Sequence, residues 1–332
     1  MLPRILAATT ALALALAAPA AAQPAPAAAD HAKVARVLKA TPLIDGHNDL
    51  PWEIRTKFGG DPAKAQLEKE AAAVGRKPPL QTDIPRLRKG GVAGQFWSVY
   101  VPPGQPGPSS VKMTLEQIAL TREMVALHPD AFEMAYTAAD VVRIHKAGKV
   151  ASLVGMEGGH SIDNSLTVLR GFYDAGARYM TLAHSENTAW ADSATDKPVH
   201  GGLSPFGEAV IHEMNRLGML VDLSHVSVET MQDTLRVSQA PVIFSHSSAK
   251  GLADVARNVP DDVLRQLPAN GGVVMVAFVP GFLAPEGKAW IEGLFAEMQA
   301  SQKRHPDDAN AAGAEVSAWQ KANPAPTATL AQ

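Results

Sequence analysis

The 332-residue chain contains no cysteine. That excludes disulfides, thiolate metal sites, a cysteine nucleophile and a lipid anchor on cysteine, so any metal must be held by His, Asp and Glu. A basic run is also missing. With 30 Lys+Arg against 33 Asp+Glu and a net charge of −3, nucleic acid is not expected as a partner. Aromatic residues supply only 5%, but the 46% hydrophobic content is ordinary for a globular protein and excludes wholesale disorder. Between residues 40 and 283 there is no internal repeat and no long low-complexity linker, so this stretch reads as one domain. Its length suits an α/β barrel, which typically takes about 250 residues. Beyond residue 22, no stretch is apolar and long enough to span a membrane.

The N-terminus has a different composition. Arg4 is the sole charged side chain before Asp30, an apolar run extends from Ile5 to Ala18, and Ala20-Ala21-Ala22 supplies small residues ahead of Gln23. This is the layout of a secretory signal peptide, too short in its apolar part to be an anchor. The expected organisation is a signal peptide at 1–22, a leader and first helix at 23–40, and the barrel domain at 41–332. The product is expected outside the cytoplasm, periplasmic or secreted.

Short apolar runs predict strands at Pro42–His47, Gln95–Val101, Ala151–Met156, Ala177–Ala183, Met219–Ser224, Pro241–Ser245 and Gly272–Val279. Most are continuous rather than alternating, as in parallel strands buried on both faces. Helix signals fall between them. Thr114 with Gln117 reads as a capping box ahead of Leu115–Leu127, Ser204 caps a helix with Pro205 in its first turn, and Ser227 caps the next. A helical stretch at Gly287–Lys303 and a second around Trp319 follow the last strand. Strand–helix alternation predicts a parallel sheet with crossover helices.

Polar residues recur where the apolar runs end: His47 and Asp49, Glu157, His184, His225 and His246. In a barrel those ends form one mouth, so distance in sequence is no obstacle to convergence. His47-x-Asp49 offers a nitrogen and an oxygen two residues apart on an extended strand, and His225 and His246 make a second nitrogen pair. Glu157 has two oxygens, enough to bridge two ions. Such a donor set suits Zn²⁺ better than Mn²⁺, Co²⁺ or Fe²⁺. Other chemistries lack their motifs. Arg216 stands where H-E-x-x-H needs its second histidine after His212-Glu213, and there is no G-x-S-x-G, no P-loop and no G-x-G-x-x-G. His160 is read as supporting Glu157, whereas His31, His128, His145, His200 and His305 are read as solvated.

Leu43-Ile-Asp-Gly-His-Asn-Asp-Leu-Pro-Trp52 resembles the opening motif of the membrane (renal-type) dipeptidases, a metallopeptidase family. Thr82 through Gly91, Gln95-Phe-Trp-Ser98, Glu157-Gly-Gly-His160, Tyr179 through His184, Asp222-Leu-Ser-His225, Phe244 through Ser248 and Ala256-Arg-Asn-Val-Pro260 resemble that family in the same order. The resemblance implies a (β/α)8 TIM-type barrel of the metal-dependent hydrolase kind, holding two Zn²⁺. It assigns His47 and Asp49 to one zinc, His225 and His246 to the other, and Glu157 to the bridge. His184 would act at the scissile region and Arg257 would bind the substrate's C-terminal carboxylate, with His184 and Glu157 the catalytic residues. The implied reaction is hydrolysis of dipeptides by a hydroxide shared between the two metals.

The family's eighth strand, with its aspartate in a G-x-D-like segment, has no counterpart before Gln332. The expectation is therefore a barrel domain incomplete at its C-terminus, with the general acid unassigned. Two alternatives stand beside dipeptide hydrolysis: a related amidohydrolase acting on lactams or esters, and a metal-binding remnant without activity. A dipeptide is the expected partner, and a homodimer is compatible with the sequence.

Overall fold

Runs rich in Val, Ile, Leu and Met become strands, and the amphipathic stretches between them become helices. The computed structural model describes residues 28–75, 79–105, 107–306 and 308–326. The expected signal peptide and most of the leader lie outside the described residues. The chain divides into two compact units, Met1–Ala40 and Thr41–Gln332. In the first, the described part is helix α1 (Ala28–Ala40).

The second unit begins with β1 (Leu43–Asn48), α2 (Leu50–Lys57), α3 (Ile84–Gly90) and β2 (Val92–Tyr100). Next come α4 (Gly107–Leu127), β3 (Phe132–Met134), α5 (Ala138–Lys146) and β4 (Val150–Glu157). Then α6 (Leu166–Ala175), β5 (Ala177–Thr181), α7 (Pro205–Leu217), β6 (Leu220–Asp222), α8 (Val228–Val237) and β7 (Ile243–Ser247) alternate regularly. The last elements are α9 (Asp261–Asn270), β8 (Val273–Val276), α10 (Pro280–Leu283), α11 (Lys288–Arg304) and α12 (Ala309–Ala322).

The strands pair in the order β1-β2-β4-β5-β6-β7-β8, every pair parallel, as the alternation predicts. Seven strands thus form a nearly closed barrel. Each corresponds to one of the predicted runs. Among the described residues β8 and β1 do not pair, and β3 joins β4 from the side through Phe132↔Val150 to Met134↔Ser152. The sequence pattern does not reveal β3, because three residues carry no usable periodicity.

Packing fixes the ring. Phe96, Leu153, Tyr179 and Ile243, with Ile44 and Leu220 against them, draw one residue from each of six strands into a single cluster. A larger cluster around Val154, Met180, Met214, Val221 and Phe244 packs the strands against their helices. Gly46 lets β1 approach β7: a Cβ there would overlap the Ser245 carbonyl and the Met275 sulfur. Beside the unpaired edge, Val273 and Val276 of β8 are exposed, and Phe278 is 81% exposed.

The expected caps at Ser204 and Ser227 form: their hydroxyls accept from the backbone N–H of Gly207 and Thr230. The capping box at Thr114 does not. Helix α4 begins at Gly107, and buried Thr114 donates its hydroxyl to the Ser110 carbonyl one turn back. A threonine inside a helix can satisfy itself in this way, so its sequence context mimics a start. The predicted Gly272–Val279 strand is shorter, ending at Val276 before the turn into α10. No helix among the described residues is long and apolar enough to cross a membrane.

Candidate metal centre

Glu157 ends β4 with its side chain at the mouth of the barrel, and the residue is only 4% exposed. Its Oε2 lies 3.5 Å from His47 Nε2 and accepts from Ser98 Oγ at 3.1 Å. Its Oε1 faces His225 Nε2 at 3.1 Å, and His184 and His246 Nε2 at 3.5 Å each. One carboxylate therefore serves two sets of nitrogens through two different oxygens. Among the described residues, two groups have the geometry to hold a metal ion: His47, Glu157 and His246, and Glu157, His184 and His225.

The expected site residues converge, though not always for the reason read from the sequence. Asp49 is not on the strand. It is the residue before α2, with φ −81° and ψ 14°, and this turn rather than strand alternation brings its Oδ1 to 3.2 Å from His47 Nε2. His225 lies past the end of β6 at φ +72°, a left-handed conformation rare for a residue with a Cβ. Holding it there costs backbone strain of the kind that concentrates at functional sites. Its ring stacks on His184 at 4.2 Å, and the His47 and His246 rings lie 3.8 Å apart.

The electrostatics are those of a crowded buried cluster. Burial disfavours a charge on His47, but the Glu157 and Asp49 carboxylates outweigh it and raise its pKa to about 9. Burial, together with nearby positive groups including Arg257, pushes His225 and His246 well below the usual imidazole range. Glu157 resists its own burial because the surrounding imidazoles hold it well below the usual carboxylate range. His225 Nε2 and His246 Nε2 are 2.9 Å apart. Two unprotonated nitrogens at that distance repel unless a proton or a cation lies near both. The donor set therefore fits a divalent cation: imidazole nitrogens, a shared carboxylate and no thiolate.

Arg257 is 3% exposed, donates from Nη2 to the His246 carbonyl at 3.3 Å, and has its buried Nη1 without a partner. Desolvation lowers its pKa to about 10, and it remains a cation near neutral pH. His160 donates from Nε2 to the Val101 carbonyl, 3.1 Å away, and burial takes its pKa down to about 4. Two histidines read as solvated are half-buried with partners: His200 at the Thr188 carbonyl and His305 paired with Glu315. His128 and His145 are also half-buried, whereas His31 is exposed.

Sequence reasoning gives no role to three side chains that touch this cluster or to a fourth behind them. Ser98 bonds Glu157, Tyr179 OH lies 3.2 Å from His47 Nδ1, Ser245 Oγ lies 2.8 Å from His246 Nδ1, and Asp222 accepts from Ser245. The available signal is a polar residue inside an apolar strand run, since such a group must find a partner in the interior.

A parallel barrel that gathers imidazoles and a shared carboxylate at the C-terminal ends of its strands defines a metal-binding barrel of the hydrolase class. The chain belongs to the membrane dipeptidase family (peptidase family M19), whose family model matches residues 31–304. It is a family of metallodipeptidases, hydrolases of peptide bonds. The chain is 45% identical over 252 residues to Dipeptidase 3 of Mus musculus, covering 74% of this chain and 49% of that protein. It thus spans about half the length of that curated relative. The probable dipeptidase PvdM from Pseudomonas aeruginosa shares the fold at 24% identity and a TM-score of 0.67, covering 84% of this chain and 70% of that one. A metallopeptidase from Rhodobacter sphaeroides, liganded with a phosphinate mimic of the dipeptide L-Ala-D-Ala, matches at 25% identity and a TM-score of 0.61. That match covers 74% of this chain and 76% of the other.

Proposed function

We propose that this protein hydrolyses dipeptides at two divalent cations, zinc by preference. His47 and Asp49 would hold one, His225 and His246 the other, and Glu157 both. The observation that carries this reading is the split of the Glu157 carboxylate, with Oε2 toward His47 and Oε1 toward His225 and His246. When bound, the cations supply water activation near neutral pH and polarisation of the scissile carbonyl.

The chain's own residues do the rest. His184 stands at the edge of the cluster with its ring 5.0 Å from that of Tyr100, positioned to contact the scissile region. Arg257 has a donor left over at Nη1, and a buried guanidinium with a free donor suits a carboxylate that arrives with the substrate. Fixing the free C-terminus at that point would restrict substrates to short peptides. The N-terminal layout supports export, periplasmic or secreted, with residues 1–22 removed.

The test combines metal content with turnover. Elemental analysis of protein exposed to zinc should give two ions per chain, and no zinc above background would sink the reading. Dipeptides with a free C-terminus should turn over faster than their amides, by about 1.5–3 kcal/mol in kcat/KM, the worth of a charge-assisted hydrogen bond. Equal rates would remove Arg257 from this role and favour a broader amidohydrolase.

A further inference from the structure

Building on the metal-centre reading above, we propose that the hydroxyls of Tyr179 and Ser245 fix the tautomers of His47 and His246. Each imidazole is thereby made to present an unprotonated Nε2 to a cation held beside the Glu157 carboxylate. Both are positioning residues that act through a histidine.

Counting protons gives the assignment. A phenol has one hydrogen to donate. Tyr179 OH lies 3.1 Å from the Gly46 carbonyl, which can only accept, and 3.2 Å from His47 Nδ1. The carbonyl needs that proton, because the ladder between β1 and β2 is irregular from Asp45 to Asn48, with Gly46 inside the irregularity. With its hydrogen committed there, the phenol oxygen can only accept from His47, so Nδ1 must be the protonated nitrogen. The ring is held in place by what β4 lacks. A Cβ at Gly155 would overlap the Tyr179 ring and hydroxyl.

Ser245 reaches the same result with different chemistry. Its Oγ donates to Asp222 Oδ2 at 2.7 Å and lies 2.8 Å from His246 Nδ1. Asp222 is fully buried and also accepts from Thr181 Oγ1 at 2.5 Å and from the backbone N–H groups of Ser224 and Ser245 at 3.1 and 2.8 Å. A carboxylate with four donors has no proton to give back. The Ser245 hydrogen therefore belongs to Asp222, and the oxygen accepts from His246 Nδ1. Left to itself, a neutral imidazole divides its proton between two nitrogens. Partners at the outer nitrogen of a ligating histidine fix its tautomer and orientation, and losing one typically costs 10–100-fold in metal affinity.

The test uses Tyr179→Phe and Ser245→Ala, with Ser152→Ala as the control for loss of a buried hydroxyl that bonds nothing. Zn²⁺ affinity is read by chelator competition, and the melting temperature of each metal-free protein reports folding. Each of the first two variants should bind zinc roughly 10–100-fold more weakly, with Ser152→Ala unchanged. Parental affinity in both variants would overturn the proposal while leaving the metal centre standing. A second measurement needs no metal: the imidazole ¹⁵N spectrum of chelator-treated protein, followed with rising pH until both imidazoles are neutral. The parent should show His47 and His246 protonated at Nδ1, with Tyr179→Phe altering the first and Ser245→Ala the second. Protonation at Nε2 in the parent would refute the assignment, whereas a parent without metal affinity would refute the function proposed above.

Discussion

Gly46 has no side chain, and the meeting of His47 with His246 depends on that. Each histidine follows directly on one of two close backbone positions, Gly46 in β1 and Ser245 in β7. Gly46→Ala should push β1 off β7, widen the 3.8 Å approach of the two rings and destabilise the fold by about 1–3 kcal/mol, as overpacking does. Calorimetry and metal retention after gel filtration check both effects. If two cations share Glu157 as proposed, Glu157→Gln should weaken metal binding at both positions, since the amide keeps only one good ligand oxygen. Titration showing loss of a single ion would argue against the bridge. All six residues named at the ends of apolar runs were legible because a buried parallel strand is an apolar run that ends where polar side chains reach the mouth, although Asp49 arrives there through the turn before α2. His47 and its neighbours announce themselves in that way. Tyr179 and Ser98 do not, because a hydroxyl inside an apolar strand acquires meaning only from a partner on another strand.

Helix α3 shows what a single cap contributes at the scale of an element. Asp83 accepts from the Arg86 N–H at 2.8 Å, from the Ala71 N–H at 2.7 Å, and pairs with Arg86 Nε at 2.6 Å. Burial works to raise its pKa, but these donors outweigh it, and the folded value lies below the ordinary 3.8. The stabilisation is therefore complete above the unfolded value and is lost as pH falls through the lower folded one. Asp83→Ala should cost about 2–3 kcal/mol near neutrality, combining a lost cap with an orphaned buried N–H. Asp83→Asn should flatten the acid side of the stability profile, as denaturant melts between pH 2 and 6 would show. The caps at Ser204 and Ser227 could be read in advance because Pro205 and a following amphipathic run define the helix unambiguously. Thr114 misled because its hydroxyl turns back to Ser110 within the helix. Strand β3 was hidden by its brevity.

For the whole molecule, the metal centre ties together β1, β4, β7 and the turn after β6. A cation bound at 100 times its Kd stabilises the folded state by about 2.7 kcal/mol, so in a chain of this size chelation should lower the melting temperature by roughly 4 °C per ion. Differential scanning with and without chelator measures it, and no shift would mean that the cluster holds no ion. The unpaired edge beside β1 has a further consequence, in the time domain. Strands β2 and β4 are zipped without interruption from Gly94↔Ala151 to Tyr100↔Glu157, whereas among the described residues the only ladder partner of β1 is β2, through a ladder broken twice. Local opening should therefore be easier at β1 than across β2 and β4, and its amides should exchange with deuterium sooner than those of Phe96 or Val154. The strand that carries His47 is thus an edge stave of the barrel, and deuterium uptake along Leu43–Asn48 becomes a direct gauge of whether the centre is filled.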